Sequence, residues 1–149
     1  MSSIPIQINE QLISIYKVIF PEIINDLTNI CQITHKMNGI FGEKANWRGI
    51  QIEKKIVAFC TFGFFNDQIL FVYNIGVDPN WRKLGYASQI MRDLINEYNT
   101  KDIYLFVNKN NRPAIFLYRK FHFEYIDDAF VPPKGEICLY RSSIVKLIH

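Results

Sequence analysis

The chain has 149 residues, 49% hydrophobic and 21% charged, with 17 Lys and Arg against 14 Asp and Glu and a net charge of +3. This composition excludes a disordered chain and suits one globular domain over residues 1–149. So small a charge excludes the basic stripe of a nucleic-acid binder, and no nucleic-acid partner is expected.

Cys31, Cys60 and Cys138 are odd in number, widely spaced and free of any C-x-x-C. They predict free thiols in a reducing compartment. His35, His122 and His149 lack metal-ligand spacing, so no metal is expected. Met1 to Glu10 do not read as a signal peptide, and the longest apolar stretch, Ile56 to Phe65, is too short for a membrane helix. A cytoplasmic protein without membrane attachment is expected, as a monomer or homodimer.

In chain order, Ile4, Ile6 and Ile8 alternate with polar residues as in a half-buried strand. Asn9 can cap a helix through Leu12, Ile15, Tyr16 and Ile19, which Pro21 stops. A second helix carries Ile23, Leu27, Ile30 and Cys31 and ends at Asn38-Gly39. Strands are predicted near 48–53, 56–65 and 68–77, with turns at Lys54-Lys55 and Asn66-Asp67. Gly76, inside the third of these strands, suggests a bulge or a ligand approaching the backbone.

Beyond Pro79, Ala87, Ile90, Met91, Leu94 and Ile95 recur at helical spacing, giving a helix over about 85–98. Ile103 to Val107 reads as a strand. Asn111 and Pro113 open another helix that continues through Ala114, Leu117, Tyr118 and Phe121. Strands near 123–127 and 136–142 complete the order β-α-α-β-β-β-α-β-α-β-β. The expected fold is α/β (α+β): a mixed, mostly antiparallel sheet flanked by helices.

The most informative segment is V-D-P-N-W-R-K-L-G-Y-A, Val77 to Ala87. It places a strand, a short loop and a helix start in succession. A helix N-terminus offers free N–H groups and a partial positive charge to a pyrophosphate. Gly85 lets the backbone approach the anion, and Arg82 and Lys83 add charge. The segment matches neither the NTPase phosphate loop nor the Rossmann fingerprint.

Val77 to Ala87 resembles the acetyl-CoA motif of the GNAT superfamily of N-acetyltransferases, a V-x-P strand end followed by Q/R-x-x-G-x-G/A. Asn111 to Phe123, N-R-P-A-I-F-L-Y-R-K-F-H-F, is similar to that family's N-x-x-A-x-x-x-Y-x-x-x-G-F. The resemblance implies a single GNAT-like domain that uses acetyl-CoA as cosubstrate. It implies that Ile75, Gly76 and Val77 run along the pantetheine arm, with the Ile75 N–H facing the acetyl carbonyl. It implies that Arg82, Lys83, Leu84, Gly85, Tyr86, Ala87 and Ser88 hold the pyrophosphate and that Asn111 and Ala114 contact the arm. Tyr118 is implied to protonate the leaving thiolate. The family glycine before the last Phe is His122 here, read as a structural residue in the left-handed turn after the helix.

Val18-Ile19-Phe20-Pro21 with Asn25-Asp26, and Ile103-Tyr104-Leu105 with Tyr118 to Phe121, are similar to protein N-terminal acetyltransferases of the NatE catalytic-subunit type. That resemblance implies an acceptor pocket lined by Phe20, Pro21, Ile24 and Tyr73. The chain departs from it at Ile24, Phe71 and Phe106, where that family carries a tyrosine, a catalytic tyrosine and a histidine base. It also lacks the paired tyrosines of the loop at Phe130 to Gly135. The acceptor is therefore an amine, either a peptide N-terminus or a small amine such as a polyamine, amino sugar or amino acid. A catalytically silent acyl-CoA-binding module is the reading from another class. No cysteine falls in either motif, which favours direct attack in a ternary complex.

Overall fold

The computed structural model describes residues 3–7, 11, 14–15, 46–64, 66–128 and 136–143. Seven strands form one sheet: β1 (Ile4–Pro5), β2 (Asn46–Ile52), β3 (Lys55–Phe64), β4 (Ile69–Val77), β5 (Asp102–Asn108), β6 (Glu124–Asp128) and β7 (Glu136–Arg141). Helix α1 (Tyr86–Glu97) follows β4, and α2 (Arg112–Lys120) follows β5. The strand order is β1-β2-β3-β4-β5-β7-β6. Only β4 and β5 pair in parallel; every other neighbour is antiparallel. The mixed, mostly antiparallel sheet expected from the sequence is therefore present. The two helices expected before residue 39 lie outside the described residues, apart from helical Gln11, Ser14 and Ile15.

Two local expectations are corrected. The β2–β3 turn is Glu53-Lys54, one residue earlier than expected, because Ile52 pairs with Lys55. Both turn residues have positive φ, 50° and 69°. That two-residue geometry matches the twist of the flanking strands, which here outweighs the glycine preference. The bulge in β4 falls at Tyr73, not Gly76: Thr61 pairs with Asn74 and Phe62 with Val72, leaving Tyr73 as the extra residue. Gly76 stays in register opposite Phe59. At the next connection Asn66 behaves as expected of a turn residue, its Oδ1 accepting from Gln68 N and Ile69 N at 2.8 and 3.0 Å.

The main core lies between the sheet and the two helices. Ile90, Met91 and Leu94 of α1 and Tyr118 of α2 join Ala58, Cys60, Leu70, Val72, Ile103 and Leu105 there. Arg48 of β2 is buried beside it, paired with Glu97 of α1 and donating to Ser3 O at 3.1 Å. Ser3 N and Oγ both donate to Asp93 at 2.7 Å. These contacts tie the start of the described chain to α1.

Helix α2 ends through left-handed His122, φ 68°. His122 N donates to Arg119 O at 3.0 Å and Phe123 N to Tyr118 O at 3.2 Å. The Tyr118 and Phe123 rings meet across this turn. That is a Schellman ending, with histidine in the glycine position and no catalytic feature required.

Candidate functional site

The cleft is built by the bulge. β4 and β5 pair from Ile69–Asp102 to Val72–Leu105 and then part. A bulge bends its strand and sharpens its twist, and Tyr73 is the next residue after the last pair. β4 stays paired with β3 as far as Val77 and β5 with β7 as far as Asn108, so the two strands diverge and a gap opens between them. The bulge also switches the face of alternate residues. Leu70 and Val72 lie in the core before it, and Ile75 and Val77 pack against the core after it.

Backbone directions follow from the ladder. Asp78 N donates to Val57 O of β3 at 2.8 Å. Backbone groups alternate along a strand, so the amides of Ile75 and Val77 point the other way, into the gap left by β5. Arg82 Nε donates to Val77 O at 3.2 Å, which places its guanidinium at the mouth of the gap.

The loop into α1 is pinned. Asp78 Oδ1 accepts from Asn80 N at 3.0 Å, Asp78 O accepts from Trp81 N at 2.8 Å, and Lys55 lies 3.6 Å from Asp78. Lys83 and Gly85 both have positive φ, 65° and 85°. Gly85 is the N-cap of α1, which has no side-chain capping hydrogen bond among the described residues. The N–H groups of Tyr86, Ala87 and Ser88 therefore face outward for an anion. A Cβ placed on Gly85 would meet nothing within 4 Å, so the space in front of the loop is open. Leu84, beside it, is exposed.

Because β4 and β5 are parallel, α1 and α2 both start at the end where the strands part. Asn111 caps α2 by accepting from Ala114 N at 3.3 Å. Tyr118 lies two turns on, 5% exposed and within the core. Burial, and then the Cys60 thiol beside it, push the Tyr118 hydroxyl well above its ordinary pKa. Cys60 is opposite Ile75 in the β3–β4 ladder. Cys60 is thus the strand partner of Ile75 and lies within electrostatic reach of Tyr118. Sequence reading did not single out Cys60 there, because the pairing of distant strands is not visible in its neighbours. Burial pushes its thiol up to about 12.

The face of the sheet away from the helices carries a second arrangement. Phe71 stacks with Tyr104 and Phe106, centroids 5.4 and 5.8 Å apart, and Tyr104 meets Tyr140 at 4.8 Å. The rings alternate with the core residues of β4, β5 and β7 and adjoin the point where β4 and β5 part. Tyr73 sits at the bulge beside this floor; Phe20, Pro21 and Ile24 lie outside the described residues. Among the described residues no group of His, Cys, Asp and Glu could hold a metal ion, and no helix is long and apolar enough to cross a membrane.

Fold and cleft together define an α/β protein whose sheet opens where its two parallel strands part. The family model described as the acetyltransferase (GNAT) family matches residues 9–123, and the chain belongs to that family. A protein named N-alpha-acetyltransferase from Saccharolobus solfataricus is 37% identical over 59 residues, 37% of this chain. That match spans 35% of the relative's own length. The fold is similar to the smu.2055 protein of Streptococcus mutans, with a TM-score of 0.76 at 17% identity over 96% of this chain and 99% of the other. It is also similar to Naa50 of Arabidopsis thaliana, solved with the bisubstrate analogue CoA-Ac-MVNAL. There the TM-score is 0.67 at 18% identity over 95% of this chain and 99% of the other.

Proposed function

We propose that the chain transfers an acetyl group from acetyl-CoA to a primary amine by direct attack in a ternary complex. The observation that carries this reading is the coincidence, at one end of the sheet, of a gap beside β4 and an uncapped helix opened by Gly85. The gap suits an extended pantetheine arm lying along Ile75, Gly76 and Val77. The amides from Arg82 to Ser88 suit its pyrophosphate, and Asn111 and Ala114 border the arm.

In this reading the amine nitrogen attacks the thioester carbonyl carbon. The Ile75 N–H donates to the oxygen that gains negative charge. The C–S bond then breaks, and the thiolate takes the Tyr118 proton. That hydroxyl carries its proton at neutral pH, and burial makes it a weaker acid than a free tyrosine. The proton lost by the amine passes to water, and the Tyr118 oxygen regains a proton from solvent before the next turnover. Cys60 stays a buried, protonated thiol, which argues against an acetyl-enzyme.

The acceptor favoured here is the α-amine of a peptide. The relative named N-alpha-acetyltransferase supports this, as does the neighbour whose bound analogue joins CoA to a peptide. The aromatic floor supplies no strong base at Phe71 or Phe106. An α-amine is roughly one fifth neutral near neutral pH, whereas a lysine-type amine is about one thousandth neutral. An enzyme without a strong base manages the first more readily. Tyr73, with Phe20, Pro21 and Ile24, would border the peptide's first residues.

The test is release of free CoA from acetyl-CoA in the presence of peptides with free N-termini, polyamines or amino sugars. Release with peptides supports the proposal. Release with small amines alone transfers the activity to them, and CoA binding without release on any amine leaves an acyl-CoA-binding module.

A further inference from the structure

Exposed apolar side chains gather at the end of the sheet that β6 closes. Among the described residues five large apolar side chains are exposed, and three of them, Phe116, Tyr125 and Ile126, belong to α2 and β6. They are 66%, 52% and 48% exposed. Tyr125 is the register partner of Leu139, which packs in the core that Tyr118 of α2 also enters. Tyr125 therefore stands on the side of the sheet that α2 covers. Apolar surface concentrated in this way marks an interaction site. β6 is also an edge strand, and no strand among the described residues pairs with its outer side. The opposite edge, β1, is only two residues long and contains Pro5, which blunts it.

Charge divides the same surface in two. The outer side of α2 is basic: Arg112, Arg119 and Lys120 are exposed, and no acidic residue occurs from Lys109 to Phe123. β6 reads E-Y-I-D-D, three acids in five residues with no base, and Glu124 is exposed. These charges do not meet within one chain, since the ion pairs among the described residues are Arg48 with Glu97 and Lys55 with Asp78. A basic strip beside an acidic one is self-complementary about a two-fold axis, each copy setting its helix against the other's strand. Direct pairing of β6 with β6 fits less well, because it opposes acids with acids. The register shift between Tyr125 and Asp127 also leaves Ile126 bulged on the edge, which checks extension of the ladder.

We propose that α2 and β6 form the docking surface for a second copy of this chain, related by a two-fold axis. Arg119 and Lys120 of each copy face the partner's Glu124, and the Phe116 ring packs against the partner's Tyr125. One nine-residue helix and one five-residue strand make a small interface. It falls below about 1,200 Å² in total, the size of weak complexes, so the dimer dissociates at roughly 10 μM. This association is independent of what the cleft binds.

The experiment is sedimentation velocity on the purified protein at low salt, from about 1 to about 200 μM, a range that brackets the expected dissociation constant. The average mass should rise from one chain towards two across that range. Sodium chloride at about 0.5 M should weaken the association by roughly tenfold, because exposed charges are screened. The variant Arg119→Glu/Lys120→Glu should weaken it by at least about tenfold, and Glu124→Lys by at least about threefold, since each sets like charges together. Mixed in equal amounts, these two variants should recover the wild-type affinity, because the reversed helix of one meets the reversed strand of the other. That recovery separates matched charges from a damaged fold. Wild-type protein that stays a single chain at the highest concentration overturns the proposal. So does a dimer indifferent to both charge reversals, and so does a mixture that fails to recover.

Discussion

Ile75 sits directly opposite Cys60 in the β3–β4 ladder, and the Cys60 thiol lies against Tyr118. Residues from β3, β4 and α2, separate parts of the chain, are thus neighbours around one buried thiol.

Tyr118→Phe keeps the ring packed against Phe123 and removes only the acid. CoA release should slow by about 10²-fold while CoA affinity changes by less than about threefold, the pattern of a lost proton donor. Steady-state kinetics alongside calorimetry measure both. Unchanged turnover would remove Tyr118 from the chemistry.

Gly85→Val places a β-branched residue at φ 85° in front of the open loop. The left-handed conformation costs about 1–2 kcal/mol, and the new side chain blocks approach to the first-turn amides. CoA affinity should fall by at least tenfold, with a lowered thermal midpoint. Equal affinity would place the diphosphate elsewhere.

Cys60 should be inert in the folded protein. Its thiol is raised by burial from an ordinary value near 9 to about 12, so it stays protonated at neutral pH. Peptide mapping after iodoacetamide should show Cys60 modified only on unfolding. Because the folded value is the higher one, its contribution to stability is complete below about pH 9 and is lost as pH rises towards 12. Cys60→Ala should flatten that alkaline decline; an unaltered slope would contradict the assignment.

Asp93 behaves in the opposite sense. Burial raises its pKa, but the Ser3 N–H and hydroxyl, the Gln89 amide and the Arg48 charge outweigh burial and hold it below the usual value. Its contribution is present above about pH 4 and is lost as acid takes the pH through the lowered value. Asp93→Asn should reduce the acid dependence of the melting temperature. Arg48→Ala, which strands Glu97 and Ser3, should cost about 2–3 kcal/mol by chemical denaturation.

The second half of the chain was legible because its signals are local. The strand ending at Val77, the loop through Gly85 and the Asn111 cap each depend on a few adjacent residues, and all appear where periodicity placed them. His122 was readable as a left-handed helix ending for the same reason. The bulge was not: Tyr73 is an ordinary strand residue, and only its pairing with β3 shows that it is extra. The glycine three residues on gave a louder but misplaced signal. The Glu53-Lys54 turn was missed because its left-handed residues lack the usual Asn-Gly marking. The Cys60 contact and the aromatic floor arise from the alignment of distant strands, which no sequence window contains.

The central claim is that a thioester carrier lies in the gap beside β4 with its diphosphate on the α1 loop. Amide NMR during titration with CoA tests it most directly. The account predicts saturable shifts concentrated at Ile75, Val77 and the residues from Lys83 to Ser88, with the Phe59 and Leu139 amides nearly still. Saturable shifts confined to other strands, or none at millimolar CoA, would contradict it.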